Sequence, residues 1–208
     1  MASVDFRLLL VTDRTQTGGR SLPSLLRQAI NAGLPAVQLR ERDLPTRDLL
    51  QLAGEIHAIT KPCGVPLIIN DRVDLMFALD LPGVHLRSDS LPVSAVRRMI
   101  GRDRLIGVST HSLAEVRDAG REGADYVVFG PVFDTPSKRP FGSPFGLEKL
   151  AEVCRASAVP VFAIGGITAQ SVTDVRRAGA HGVAVIGAIL SRHDVVESTH
   201  DLLTQLMS

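Results

Sequence analysis

Eight times along the chain a short, largely apolar run ends in a polar or glycine-bearing turn and opens into residues whose apolar positions recur at helical spacing. The runs are Phe6–Val11, Ala36–Leu39, Pro66–Ile69, Gly83–Leu86, Leu105–Val108, Tyr126–Phe129, Val161–Ile164 and Val183–Ile186. Each is too short for a lone helix and mostly apolar, with Arg7, Gln38 and His85 the polar exceptions, which reads as a parallel strand buried on both faces. Over 208 residues the eight units average about 26 residues each. The expected fold is therefore α/β, a single (β/α)8 TIM barrel with few insertions, spanning 1–208 as one domain. The runner-up is an open doubly wound sheet, disfavoured because strand and helix alternate to the end without a change in composition.

Punctuation supports this parse. Ser21 and Ser112 are placed to cap helices, Pro92 suits a helix's first turn, and Gly33, Gly64 and Gly120 are helix stops. Further helices are expected from about Thr46, over Thr168 to Ala178, and from Val195 onward. The one long irregular segment is Gly130 to Gly146, rich in Pro, Gly, Ser and Phe. A loop of that length in so economical a chain is usually functional or disordered.

Composition narrows the function. Formal net charge is +1, only 4% of residues are aromatic and Trp is absent, so a nucleic-acid surface of basic and stacking side chains is not expected. No apolar run approaches the ~20 residues of a membrane span. Met1 to Arg7 lacks the pattern of a signal peptide. Cys63 and Cys154 are too few for a disulfide framework and share no metal-ligand spacing, so a reduced, cytoplasmic setting is expected. The sequence leaves a homo-oligomer open.

In a barrel of this kind the C-terminal ends of the strands share one rim, where chemistry is found. Those ends carry Thr12 and Asp13; Gln38, Arg40 and Arg42; Asn70 and Asp71; Arg87 to Ser90; Ser109 and His111; Thr135, Ser137 and Lys138; Gly165 and Gly166; Ile186 and Gly187. Arg40, Arg42 and Lys138 are cations able to converge on one polyanion, although Arg42 equally fits a solvated run paired with Glu41 and Asp43. Asn70 and Asp71 suit orienting a substrate and holding Mg2+, or capping the next helix. Asp89 or Asp13 is a candidate second acidic contact. Glycines after the last two strands let backbone N–H groups approach a phosphate, or merely allow tight turns. His85 and His111 are read as hydrogen-bonded structural residues, and His57, His193 and His200 receive no role.

Taken together, Gln38-Leu39-Arg40-Glu41-Arg42, Ile68-Ile69-Asn70-Asp71-Arg72, Gly83-Val84-His85-Leu86, Gly107-Val108-Ser109-Thr110-His111, Phe129-Gly130-Pro131-Val132-Phe133, Ala163-Ile164-Gly165-Gly166-Ile167 and Gly182-Val183-Ala184-Val185-Ile186 resemble the thiamine phosphate synthase and TenI family, in order and over nearly the whole chain. The resemblance implies an enzyme that joins hydroxymethylpyrimidine diphosphate to a thiazole phosphate, two small phosphorylated substrates, with Mg2+ as cofactor. By matching position it implies that Gln38, Arg40, Arg42, Asn70 and Lys138 hold the pyrimidine diphosphate, with Arg40, Asn70 and Lys138 the catalytic set. It implies Asp71 on the metal, with Asp89 the candidate second metal ligand, and Ser109 beside the pyrimidine. Thr135, Ser137, Gly165, Gly166, Ile186 and Gly187 would hold the thiazole phosphate. The chain departs from the synthase pattern at Arg42, where lysine is usual, and at Arg87-Ser88, which replace glycine and glutamine. Ser90 stands where a second metal aspartate is usual, with Asp89 one residue early, and Gly187 replaces a serine. TenI-type tautomerases place histidine where this chain has Pro131. A thiazole tautomerase and a non-catalytic barrel that binds a thiamine precursor are the alternatives.

Overall fold

The computed structural model describes residues 3–135, 139 and 142–207. Eight parallel strands, β1 (Leu8–Val11), β2 (Val37–Leu39), β3 (Leu67–Asn70), β4 (Gly83–Leu86), β5 (Leu105–Thr110), β6 (Tyr126–Phe129), β7 (Val161–Ile164) and β8 (Gly182–Val185), close into a barrel. Each strand pairs with the next, and β8 returns to β1 in the register Leu8↔Val183 to Leu10↔Val185. The helices are α1 (Leu22–Asn31), α2 (Thr46–Thr60), α3 (Val73–Ala78), α4 (Val93–Ile100), α5 (Leu113–Glu122), α6 (Gly146–Ala156), α7 (Ala169–Arg177), the single turn α8 (Gly187–Leu190) and α9 (Val195–Met207).

Because side chains alternate across a strand, the apolar runs feed two separate cores. Leu8, Leu10, Val37, Leu39, Leu67, Ile69, Val84 and Ile106 point outward and are buried with the inner faces of the helices. Phe6, Leu9, Val11, Ala36, Ile68, Leu105, Tyr126, Val128, Phe162 and Ala184 form the second cluster, inside the barrel. Three of the chain's eight Phe and Tyr side chains meet there: the Phe6 ring lies 5.9 Å from Tyr126 and 5.3 Å from Phe162, and Tyr126 lies 5.4 Å from Phe162. Rings that large fit only beside very small neighbours. A Cβ at Gly107 would collide with the Tyr126 ring and stand 2.5 Å from His85 Nδ1.

Helix boundaries follow the expected signals with local shifts. The Ser21 hydroxyl accepts the Ser24 N–H, and the Ser112 hydroxyl accepts that of Glu115. Pro92 sits at the N-cap of α4 rather than within its first turn. Helix α5 runs past Gly120 and stops at Gly123, whose φ of +101° is left-handed. Strand β5 is two residues longer than expected, which brings Ser109 into the strand itself. Helix α6, which sequence reading did not single out, begins at Gly146 directly after the long loop.

Overpacking the barrel axis carries a definite cost. Gly107→Ala is expected to lower unfolding free energy by about 1–3 kcal/mol in urea titration, since ring and imidazole must both move. Unchanged stability would mean that the Tyr126 ring does not cross that position.

Candidate active site

At the C-terminal mouth the inward positions divide by chemistry. Strands β2 to β5 present Gln38, Asn70, His85 and Ser109 in succession, because each polar residue occupies an inward position of its strand. The Gln38 amide donates to Asn70 Oδ1 at 3.1 Å, which leaves the Gln38 carbonyl and the Asn70 NH2 for a ligand. His85, only 1% exposed, bonds Tyr126 Oη through Nδ1 at 3.2 Å and Ser109 Oγ through Nε2 at 2.9 Å. Burial, with the Arg40 charge adding to it, pushes the imidazole down to about 3, so His85 is neutral. It is the hydrogen-bonded residue that sequence reading expected. The remaining strands close the mouth with apolar side chains: Val11, Val128, Ile164 and Ile186 all belong to the interior cluster or pack against it.

Charge collects above the polar half. Arg40 is half-buried and Arg42 exposed. The alternative in which Arg42 pairs with Glu41 and Asp43 is not seen, because Arg14 takes both acids. Its N–H donates to Glu41 Oε2 at 3.1 Å, and its guanidinium forks onto Asp43 at 2.6 and 2.7 Å. Among the described residues Arg40 and Arg42 then have no carboxylate in salt-bridge contact. Burial, reinforced by Arg42 and Arg87, holds the Arg40 guanidinium below its ordinary range despite the opposing charges of Asp13 and Glu41. Crowded, partly desolvated cations of this kind are stabilised by an arriving polyanion. Arg14 is a site-building residue that sequence reading passed over, although its position in Thr12-Asp13-Arg14, at the end of β1, was a signal for it.

Asp71 sits at the lip of β3 with a φ of +66°, a left-handed conformation that a non-glycine residue adopts at some cost. Neither it nor Asn70 caps α3, whose N-cap is Arg72 and has no side-chain cap. Instead Asp71 Oδ1 accepts the Ser90 hydroxyl, and Oδ2 lies 3.7 Å from Arg87 Nε. Arg87 simultaneously grips both oxygens of Asp89 at 2.8 Å, which holds that carboxyl below the usual carboxylate range. Arg87 thus stands between the two acids named as metal ligands. Among the described residues no cluster of three or more His, Cys, Asp or Glu is placed to hold a metal. Mg2+ is commonly held by one or two carboxylates, its other oxygens coming from water and substrate phosphate, so the residues to test against it are single acids. Asp71 fits that role, and Asp89 fits it only after releasing Arg87. A cleft of about 220 Å³ lies here, lined by Glu41, Arg42, Asn70, Asp71, Arg72 and Arg87 among others.

Across the mouth, Gly165 and Gly166 follow β7 with φ of +98° and +65°. Their small size first serves packing. The segment after β6 folds over them, Val132 and Phe133 donating to the Ile164 and Gly165 carbonyls at 2.9 and 3.0 Å. A Cβ at Gly165 would stand 2.6 Å from Pro131 Cβ, and one at Gly166 would stand 2.8 Å from Phe133 Cβ. The N–H groups of Gly165, Gly166, Ile186 and Gly187 have no backbone acceptor among the described residues, so they are available to an anion. Thr135 is half-buried in the same crossing loop, while Ser137 and Lys138 lie outside the described residues. His111, also on this side, bonds the Gly130 carbonyl through Nδ1 at 2.7 Å and is exposed.

A closed parallel barrel with cations at one side of its C-terminal mouth and unpaired glycine amides at the other defines a phosphate-handling barrel enzyme. Comparison with known proteins makes this specific. The thiamine monophosphate synthase family profile matches residues 8–189, and the chain belongs to that family. It is 45% identical over 193 residues to the thiamine-phosphate synthase of Roseiflexus castenholzii, covering 93% of this chain and 85% of that one. It is 43% identical over 199 residues to that of Chloroflexus aurantiacus, covering 96% and 92%. Among solved structures, thiamine phosphate pyrophosphorylase from Pyrococcus furiosus superposes with a TM-score of 0.88 at 30% identity, covering 97% of this chain and 95% of that one.

The free cations make a direct forecast. Diphosphate is expected to raise the melting temperature of the protein, and Arg40→Ala to weaken its binding about 10–100-fold, the value of a lost charge-assisted hydrogen bond. Arg121→Ala, which removes a partner of Asp118 on α5, is expected to leave binding unchanged. Equal affinity in wild type and Arg40→Ala would place the anion elsewhere.

Proposed function

We propose that this protein is a thiamine phosphate synthase, coupling hydroxymethylpyrimidine diphosphate to a thiazole phosphate and releasing diphosphate at the mouth described above. The observation that carries this reading is the division of that mouth. One half offers side-chain hydrogen bonds and unpaired arginines; the other offers an apolar floor with free amides. A reaction between a polar heterocycle carrying a diphosphate and a less polar one carrying a single phosphate needs those two halves facing each other.

Gln38 and Asn70 would orient the pyrimidine, and Ser109 would contact it from β5. Arg40 and Arg42, with Lys138 by sequence match, would bind the diphosphate and stabilise the charge that builds on it as the C–O bond breaks. Mg2+, held through Asp71, would supply further stabilisation to the leaving oxygens. The thiazole nitrogen would then attack the pyrimidine methylene, its phosphate held by the amides of Gly165, Gly166, Ile186 and Gly187 and by Thr135 and Ser137. With bond-breaking driven by leaving-group stabilisation, no protein nucleophile is required. The crossing segment 131–134, laid over the end of β7, would help keep water from the developing cation. In the TenI alternative the proton carrier expected after β6 is Pro131, which has no titratable group.

Incubating the purified protein with both substrates and Mg2+, with products followed by mass spectrometry, tests the reading: thiamine phosphate and diphosphate are expected in equal amounts. Asp71→Asn is expected to lower turnover by roughly two orders of magnitude, and Asp89→Asn by less than about threefold, given that Asp89 is committed to Arg87. Conversion of a thiazole carboxylate tautomer without coupling would favour the isomerase, and thermal stabilisation by either ligand without turnover would favour the binding protein.

A further inference from the structure

We propose that Tyr126 is a positioning residue that, acting through His85, fixes the Ser109 hydroxyl as a hydrogen-bond donor to the pyrimidine. The inference rests on the synthase reading for the identity of the ligand, and on proton directions alone for the rest. Tyr126 is fully buried on the barrel axis among Phe6 and Phe162, and His85 Nδ1 is its hydroxyl's only hydrogen-bond partner among the described residues. A phenol has one proton to place. If Nδ1 carried a hydrogen and donated to Oη, that phenolic proton would be stranded in apolar surroundings, the costly case of a buried donor left unmet. Tyr126 therefore donates, and Nδ1 accepts.

The remaining directions follow. A neutral imidazole that accepts at Nδ1 carries its hydrogen on Nε2. That N–H donates to Ser109 Oγ at 2.9 Å. Having accepted from His85, Ser109 must direct its own O–H elsewhere, and no acceptor for it stands among the described residues. Ser109 is half-buried at the mouth, so that hydrogen faces the ligand. The chain Tyr126 to His85 to Ser109 converts a buried phenol into a donor of fixed polarity at the active site. Gly107 makes the geometry available, since any Cβ there would displace both the phenol ring and the imidazole. The consequence is specificity: the mouth favours a ring with an acceptor nitrogen at this point and disfavours a C–H or an N–H there, because an unmet buried donor is costly.

Two measurements test this, and they fail separately. In ligand-free protein labelled with 15N-histidine, long-range proton–nitrogen correlation spectra are expected to show His85 as the Nε2–H tautomer, its signals assigned by their loss in His85→Gln. Tyr126→Phe is expected to shift the ring toward the Nδ1–H form. An Nδ1–H tautomer in the wild type, or a tautomer unchanged by Tyr126→Phe, would overturn the proposal, whatever the enzyme's activity. In the coupling assay, Tyr126→Phe is expected to lower kcat/KM for the pyrimidine diphosphate about three- to tenfold in the wild type, and less than twofold when Ser109→Ala is already present. Equal losses on both backgrounds would reduce Tyr126 to a packing role. Of the two pyridine analogues with C–H in place of one ring nitrogen, one is expected to lose as much as Ser109→Ala in the wild type and nothing further in that variant. Absence of any thiamine phosphate would instead refute the synthase reading, and the tautomer spectrum would still decide the proton directions.

Discussion

Everything at the mouth depends on the last strand pairing with the first. The β8–β1 register, Leu8↔Val183 through Leu10↔Val185, turns a sheet with two raw edges into a cylinder with none. Without it, the amides after β7 and β8 and the arginines after β2 would stand at distant places on an open sheet. With it, strands that are far apart in sequence share one axis, and small residues must line that axis wherever a ring crosses it. The collision that any side chain at Gly182 would make with the Arg7 carbonyl shows how tightly the seam is drawn.

The barrel interior does more than fill space. Its lower layers are apolar and aromatic, and on β2 to β5 they give way to polar side chains toward the mouth. Polar groups so deep in a core persist when each meets a partner, as in Gln38 with Asn70 and His85 between Tyr126 and Ser109. The same interactions that satisfy these groups in the fold fix their orientation toward a ligand. Around them, the tie from Arg14 to Glu41 and Asp43 joins the loops after β1 and β2 and frees the neighbouring arginines for anions.

Much of this was legible in the sequence. Eight largely apolar runs alternating with helical patterns specify strands and their order, and strand order in a parallel barrel specifies which ends face one another. The stop at Gly123 rather than Gly120 is a shift of about one turn and the cap at Pro92 a shift of one position, settled by tertiary packing that local signals do not encode. What sequence could not show was who pairs with whom among adjacent charges. Arg14 is 27 residues from Glu41 and 29 from Asp43, so nothing local in the sequence decided between it and Arg42 as their partner. Likewise Asn70 and Asp71 have the chemistry of caps, but the left-handed turn at Asp71 aims it at Ser90 and Arg87. The glycines after β7 were read as phosphate ligands; a Cβ on either would also strike the crossing loop, a packing demand visible only once β6 and β7 are neighbours.

The central claim is that two phosphate-bearing ligands occupy opposite halves of one mouth. A crystal structure of the protein soaked with an unreactive pyrimidine diphosphate analogue and thiazole phosphate measures this most directly. The account requires the diphosphate against Arg40 and Asp71, and the single phosphate within hydrogen-bond distance of the Gly165, Gly166 or Gly187 amides. Both anions on the arginine side, or either one at the opposite end of the barrel beside Phe6, Pro35 and Cys63, would contradict it.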